Sequence, residues 1–331
     1  MPEGHTVHRL ALAFAELFGG QHLGVSSPQG RFAAGAAQLD GRPLVRTEAH
    51  GKQLFLGFGD AGAAGEAGDG AGVAGDGAGA AGDGASAAAG TPDAELRWLR
   101  VHLGLYGSWT FAGDTTFAGP HAIGAPRRRV AEEERALPGG AAVDPDEWSP
   151  PEPRGAVRVR LVGRHGVADL TGPTACEVVT ATEKAAVQAR LGPDPLRPDG
   201  DVEAFVAGVR ARRRPVGELL MDQAVIAGVG NIYRAEVLYR ARVHPRRLGR
   251  DVPAARLREM WADTAALMAD GVAVGRIRTT RPEHRHGDEE PWYVYHRTGL
   301  PCLVCGATVV DAEMAGRRAY WCPRCQRAPR R

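Results

Sequence analysis

Leu219-Leu-Met-Asp-Gln-Ala-Val-Ile-Ala-Gly-Val-Gly-Asn-Ile-Tyr-Arg-Ala-Glu236 sets helical patterns on either side of a Gly-Val-Gly break. Pro215 suits the first turn of a helix that Gly228 and Gly230 end, and a further helix runs from Asn231 toward Val243. Glycines at such a junction let backbone N–H groups at a helix N-terminus approach a phosphate without side-chain obstruction, although a Gly-x-Gly alone equally describes a tight turn. The surrounding charge favours the first reading. Nine arginines against three acids lie between residues 210 and 247, and six against none from Arg317 to the end. Such a field matches nucleic-acid phosphates, with solvated arginine as the plainer alternative.

Downstream stand Cys302-Leu-Val-Cys305 and Cys322-Pro-Arg-Cys325, separated by sixteen residues. Each Cys-x-x-Cys turn offers two thiolates to one side of a tetrahedral ion, and the interval suits two short strands folding back, so a zinc ribbon holding one structural Zn²⁺ is expected. A disulfide pair is the alternative, but the polar start Met1-Pro2-Glu3-Gly4-His5 has no apolar signal core, which points to a reduced, cytoplasmic protein. Cys176 is left over and reads as a small buried hydrophobe.

Upstream of the quoted stretch, Thr180-Ala-Thr-Glu183 is a capping-box pattern, and Asp201 is an N-cap before Val202, Phe205, Val206 and Val209. A later helix carries Leu257, Met260, Trp261, Leu267 and Met268. Val7, Leu10, Ala11, Phe14, Leu17 and Phe18 form one apolar stripe of a leading helix closed by Gly19-Gly20. Between Leu44 and about Leu170 the runs 53–58, 96–101, 107–111 and 157–162 are β-prone. The last alternates apolar and basic residues, as expected of a half-buried strand with arginines on its open face. The fold class is therefore α+β: an N-terminal β-sandwich with a leading helix (1–178), a helical domain (179–285) and a zinc ribbon (286–331).

The 331 residues sum to a net charge of +2, yet residues 60–95 hold seven acids and no base, which leaves everything outside them at +9. That Ala/Gly/Asp stretch, with Val73 its one large apolar residue, is expected to be a disordered insert on a hairpin tip. No run of about eighteen apolar residues exists, so no membrane span is expected.

The string 219–236 resembles the helix-two-turn-helix signature of the formamidopyrimidine-DNA glycosylase/endonuclease VIII family. The resemblance extends to Met1-Pro-Glu-Gly4, Glu48-Ala-His-Gly-Lys52, His102-Leu-Gly-Leu-Tyr-Gly107, Gly192-Pro-Asp194 and Gly316-Arg-Arg-Ala-Tyr-Trp-Cys-Pro-Arg-Cys-Gln326. Only 60–95 and the segment around 120–152 stand outside it. It implies a bifunctional DNA glycosylase/AP lyase of base-excision repair, in the endonuclease VIII-like branch of actinobacterial type. Gly4 and the Leu-Tyr pair favour oxidised pyrimidines, and the strand would be cut by β- and δ-elimination. Alternatives are a non-catalytic damaged-DNA binder and a purine-lesion glycosylase.

By the same resemblance, Pro2, exposed by loss of Met1, is the nucleophile. An α-amino group with a pKa near 8, against about 10.4 for lysine, is more often free to attack at neutral pH. Glu3 is the general acid/base. Lys52 belongs to the catalytic set and also contacts phosphate, while Asn231 and Arg317 contact phosphate only. Leu105 and Tyr106 are wedges that fill the gap left by an extruded base. The partner is damaged duplex or abasic DNA, bound by a monomer without redox cofactor. Two departures stand out: Gly104 replaces the polar residue of the family's Gln-Leu-Tyr loop, and His5-Thr6 replaces Pro-Glu. His5 and His8 read as satisfied surface histidines.

Overall fold

A computed structural model describes residues 2–60, 92–125, 144–284 and 291–328. Helix α1 (Gly4–Phe18) leads, with Val7, Leu10, Phe14 and Phe18 fully buried as their spacing requires. It packs against the sandwich on one side and the longest described helix, Ala254–Val274, on the other. Because this one helix touches both halves, it carries the N-terminus into the seam between them.

The sandwich consists of two antiparallel sheets. One has five strands in the order β1 (Gly24–Ser26), β7 (Val157–Val162), β8 (Gly166–Thr171), β5 (Ser108–Gly113) and β6 (Ala122–Gly124). The other has four: β2 (Leu44–His50), β3 (Gln53–Phe58), β4 (Arg97–His102) and β9 (Ala175–Val179). Helix α2 (Ala33–Leu39) follows β1. Phe14 stacks edge-on against Trp109 in the core between the sheets. The strand at 157–162 forms as expected, but Arg160 is not on an open face. It is 6% exposed, with Asp169 3.8 Å away and the Pro151 carbonyl accepting from its guanidinium. Of the two alternating arginines only Arg160 is buried, beside half-buried Asp169, while Arg158 is half-buried and donates to Gln29.

The helical part holds α3 (Ala181–Gln188), α4 (Val202–Arg210), α5 (Val216–Leu219), α6 (Asn231–Arg240) and α7 (Ala254–Val274). Thr180 and Glu183 make the reciprocal capping box, and the Asp201 side chain accepts from Glu203 N and Ala204 N. The helix expected from Pro215 to Ala227 is only four residues long. After it the chain turns, with Val225 N and Ile226 N both donating to Asp222 O. β10 (Val310–Met314) and β11 (Arg317–Trp321) pair as the expected short hairpin. Cys302, Val309, Tyr320 and Cys322 share one apolar cluster with α4, α6 and α7. The ribbon thus completes the helical core.

Of the acidic stretch read as disordered over 60–95, residues 61–91 lie outside the described residues. Its borders do not: Asp60 pairs with Arg42, and Asp93–Glu95 make a short 3₁₀ turn with Asp93 paired to Arg46. No described helix is long and apolar enough to cross a membrane.

Candidate active site and nucleic-acid interface

The glycine turn after α5 and the chain's start are built to meet. Gly4 N donates to Gly228 O at 2.8 Å, and a Cβ on Gly4 would lie 2.8 Å from Gly228 Cα. Gly228 itself has φ +86°, a conformation side-chained residues avoid. Gly4 is thus explained by backbone packing, whatever its bearing on base choice. This clasp delivers Glu3, fully buried, to the first turn of α6, where its carboxylate accepts from Gly230 N (2.8 Å), Ile232 N (2.8 Å) and Tyr233 N (3.4 Å). Glu3 precedes α1 without capping it and instead satisfies the free N–H groups of α6, at that helix's positive end.

Lys52 stands on the β2–β3 turn, where Gly51 has φ +57° and donates its N–H to buried Asp194 at 2.7 Å. Its Nζ donates to Val229 O at 2.8 Å, on the same glycine turn. Burial lowers the Lys52 ammonium below the ordinary lysine value; Glu3 opposes that shift and Arg317 adds to it. Gln223 props the turn from inside, accepting from Gly228 N (3.0 Å) and donating to Val229 O (3.0 Å).

Pro2, Lys52, His102, Leu105, Gln223 and Arg317 all line one cleft of about 430 Å³. Arg317 reaches it from the β10–β11 hairpin, whose tip residues Ala315 and Gly316 have φ +49° and +73°. The hairpin is fastened to α6: Asn231 Nδ2 (3.2 Å) and Arg234 Nη2 (2.7 Å) both donate to Arg318 O. Asn231, 7% exposed and the first residue of α6, therefore holds Arg317's strand rather than lining the cleft itself. From the β4–β5 turn Leu105 enters the cleft lining, whereas its neighbour Tyr106 does not line it; the two are 49% and 80% exposed. Gly104 has φ +68°, and a Cβ there would meet Thr174 Oγ1 at 1.8 Å, which accounts physically for the missing polar side chain.

His102 and Gln223 have roles that their sequence neighbourhood does not reveal. His102 Nδ1 accepts from Gly104 N at 3.1 Å, which leaves the ring proton on Nε2; burial, then the Lys52 and Arg100 charges, keep the ring's pKa below normal. The expectation of surface histidines fails for His5. It is 3% exposed against Tyr233 with Nδ1 unpartnered, and burial, with His8 and Arg9 nearby, lowers its pKa to about 3. His8 is satisfied, its Nε2 lying 2.8 Å from Asp194.

The four ribbon sulfurs lie within 4.8 Å of one another, with Cys305–Cys322 at 3.5 Å and Cys302–Cys325 at 3.9 Å. A Zn–S bond of 2.3 Å implies a tetrahedral edge of about 3.8 Å, so the donor set fits one zinc ion. Gln326 supports the site, accepting from Cys322 N (3.0 Å) and donating to Val243 O (2.8 Å). Cys176 lies apart and is half-buried at the edge of the sandwich core, not fully buried as expected, and burial pushes its thiol up to about 12.

Residues 191–282 match the formamidopyrimidine-DNA glycosylase H2TH domain, and residues 299–328 match the zinc finger found in FPG and IleRS. Endonuclease 8 1 of Mycobacterium tuberculosis is 40% identical over 332 residues, covering 98% of this chain and 100% of that protein. Formamidopyrimidine-DNA glycosylase of Listeria innocua is 34% identical over 142 residues, 42% of this chain and 52% of that one. Among solved structures, Lactococcus lactis Fpg in complex with N7-benzyl-Fapy-dG DNA superposes with a TM-score of 0.66 at 18% identity, covering 99% of this chain and all of that one. MutM (Fpg) of Thermus thermophilus gives 0.62 at 24% identity, covering 98% of each. These two structures share the fold, and the full-length likeness to endonuclease 8 fixes the lineage: the chain belongs to the formamidopyrimidine-DNA glycosylase/endonuclease VIII family.

Proposed function

We propose that this chain is a bifunctional DNA glycosylase/AP lyase of base-excision repair, acting on oxidised pyrimidines through an N-terminal proline. The observation that carries the reading is the clasp of Pro2-Glu3-Gly4 onto the first turn of α6, in a cleft shared with Lys52 and Arg317. A protein that only bound DNA would have no need of an acid and an amine together at that point.

With Met1 removed, the Pro2 nitrogen attacks C1′ of the damaged nucleotide. The C1′–base bond breaks, the base leaves with a proton, and Glu3 protonates the ring oxygen as the sugar opens to an iminium. Loss of a C2′ proton expels the 3′ phosphate, loss of a C4′ proton expels the 5′ phosphate, and water then releases Pro2. Lys52 and Arg317 neutralise flanking phosphates, Asn231 holds the hairpin in register, and Leu105 and Tyr106 occupy the gap left by the extruded base. The pyrimidine preference rests on that Leu-Tyr pair. One structural zinc held by Cys302, Cys305, Cys322 and Cys325 keeps Arg317 in place, and the DNA is bound by a monomer of three parts with boundaries near 178 and 285.

Borohydride reduction on abasic DNA tests the whole reading. A covalent adduct that disappears when an N-terminal tag blocks Pro2 is the expected result. No adduct with an untagged, zinc-loaded protein that still binds DNA would leave only the non-catalytic reading.

A further inference from the structure

A second pocket, of about 120 Å³, lies at the far end of α6 and is lined by Tyr239, Arg240, Arg242, Arg281, His284 and Tyr293, with zinc-ribbon residues closing it. Asn231 faces the ribbon hairpin beside the cleft and Arg240 ends the helix nine residues later, a rise of roughly 14 Å. The pocket is therefore separate from the site already described.

Arg242 is the telling residue. Its N–H donates to Tyr239 O and Val243 N donates to Leu238 O, the two bonds of a Schellman motif, and its φ of +56° is the left-handed value that motif requires. Glycine is the residue of choice there because a Cβ is penalised. An arginine kept at a glycine position despite strain points to a use for its guanidinium. Among the described residues no carboxylate pairs with Arg242 or Arg281, whereas Arg240 is engaged by Asp263 (2.7 and 2.5 Å) and Thr279 O. Tyr293 organises the rest. Its hydroxyl accepts from Arg281 N at 2.9 Å and lies 2.8 Å from His284 Nδ1. With that hydroxyl donating to Nδ1, His284 keeps its own proton on Nε2 as a further donor.

We propose that this pocket binds one phosphate group, gripped by Arg242 and Arg281 with His284 Nε2 as a further donor. Planar guanidinium forks suit phosphate oxygens, and the pocket is phosphate-sized. The same chemistry serves a free phosphate or a backbone phosphodiester of DNA running beyond the cleft.

Arg242→Gly removes the guanidinium while supplying the residue the backbone favours, so folding is not at risk; Arg281→Ala is the second variant. Inorganic phosphate is titrated into the zinc-loaded full chain by calorimetry in a Lys52→Ala background, which removes a cation from the cleft. One site is expected, weakened at least tenfold by either substitution. Binding to 13- and 30-base-pair duplexes then separates the sources. A log K versus log salt slope flattened by roughly 0.9 on the long duplex alone identifies a backbone phosphodiester, and unchanged slopes identify a free phosphate. Phosphate affinity indifferent to both substitutions overturns the proposal. So does loss of zinc from Arg242→Gly with phosphate affinity intact, which would make Arg242 a charge partner of the thiolates.

Discussion

Glu3 Oε2 accepts a 2.8 Å hydrogen bond from Gly230 N, 227 positions along the chain, and a Cβ added at Gly230 would fall 2.4 Å from the Glu3 carboxyl carbon. The two residues therefore fit only as a pair. Gly230→Ala should displace the Glu3 carboxylate by the better part of an ångström, and a misplacement of that size costs on the order of 10²-fold in rate. Single-turnover base excision should fall by about that factor, while DNA affinity, proposed to rest on Lys52 and Arg317, stays within a few-fold. Excision at the parental rate would show that Glu3 has no part in the chemistry.

Lys52 reaches the cleft from the β2–β3 turn and Arg317 from the β10–β11 hairpin, and each neutralises one phosphate in the proposed complex. Lys52→Ala and Arg317→Ala should each flatten the salt dependence of log K by roughly 0.9. Asn231→Ala removes no charge, but it leaves Arg318 O with only the Arg234 bond and so loosens the hairpin. It should weaken binding with the slope unchanged. Equal slopes in all three variants and the parent would refute these assignments.

What was legible in the sequence is what neighbours in sequence decide. The α1 stripe, the Thr180–Glu183 box, the Asp201 cap and the two Cys-x-x-Cys turns each depend on residues a few positions apart, and each formed as read. The departures are long-range. Arg160 alternates like a surface arginine, yet Asp169 on the neighbouring strand makes its burial tolerable. His5 looks polar, but Tyr233 and Gly271 close over it. Helix α5 stops after one turn because the chain must bend back for Gly228 to meet Gly4, a demand set from the other end of the molecule. For the candidate site, family resemblance supplied the residue types. The contacts that join them, Glu3 to α6 and Lys52 to Val229 O, have no local signature.

His5 gives the fold an acid sensitivity. Its pKa of about 3 in the folded chain lies below the ordinary 6.5 because burial disfavours the cation. The unfolded chain therefore takes up a proton that the folded one refuses, and stability is full above pH 6.5 and falls as the pH drops toward 3. The loss is on the order of a few kcal/mol. His5→Leu, which removes an unpartnered Nδ1 from the core, should flatten melting temperature against pH over that window. A slope identical to the parent's would place the sensitivity elsewhere.

Tyr106 is 80% exposed, so Tyr106→Ala should change stability by less than about 0.5 kcal/mol. If the ring fills the gap behind an extruded base, excision from duplex should drop at least tenfold while cleavage of a preformed abasic site persists. Gly104→Gln behaves oppositely. The left-handed backbone and Thr174 make it destabilising by about 1–3 kcal/mol, so restoring the family's polar residue alone should lower the melting temperature without restoring any contact.

Zinc removal should reach further than a detachable ribbon would suggest. Cys302 and Cys322 are buried in the same apolar cluster as α6 and α7, and Gln326 ties the second Cys-x-x-Cys turn to Val243 O. Without the ion, four thiolates lose their common partner and the β10–β11 hairpin its anchor, so Arg317 leaves the cleft. Cys302→Ser, or chelation of the parent, should therefore abolish DNA binding and also lower the melting temperature of the helical part. The sandwich, with its own core around Phe14 and Trp109, should keep its strand signal. Far-ultraviolet circular dichroism with zinc quantified in the same sample makes the check. A verified zinc-free protein with parental melting and undiminished incision would show that the cysteines hold the hairpin without metal.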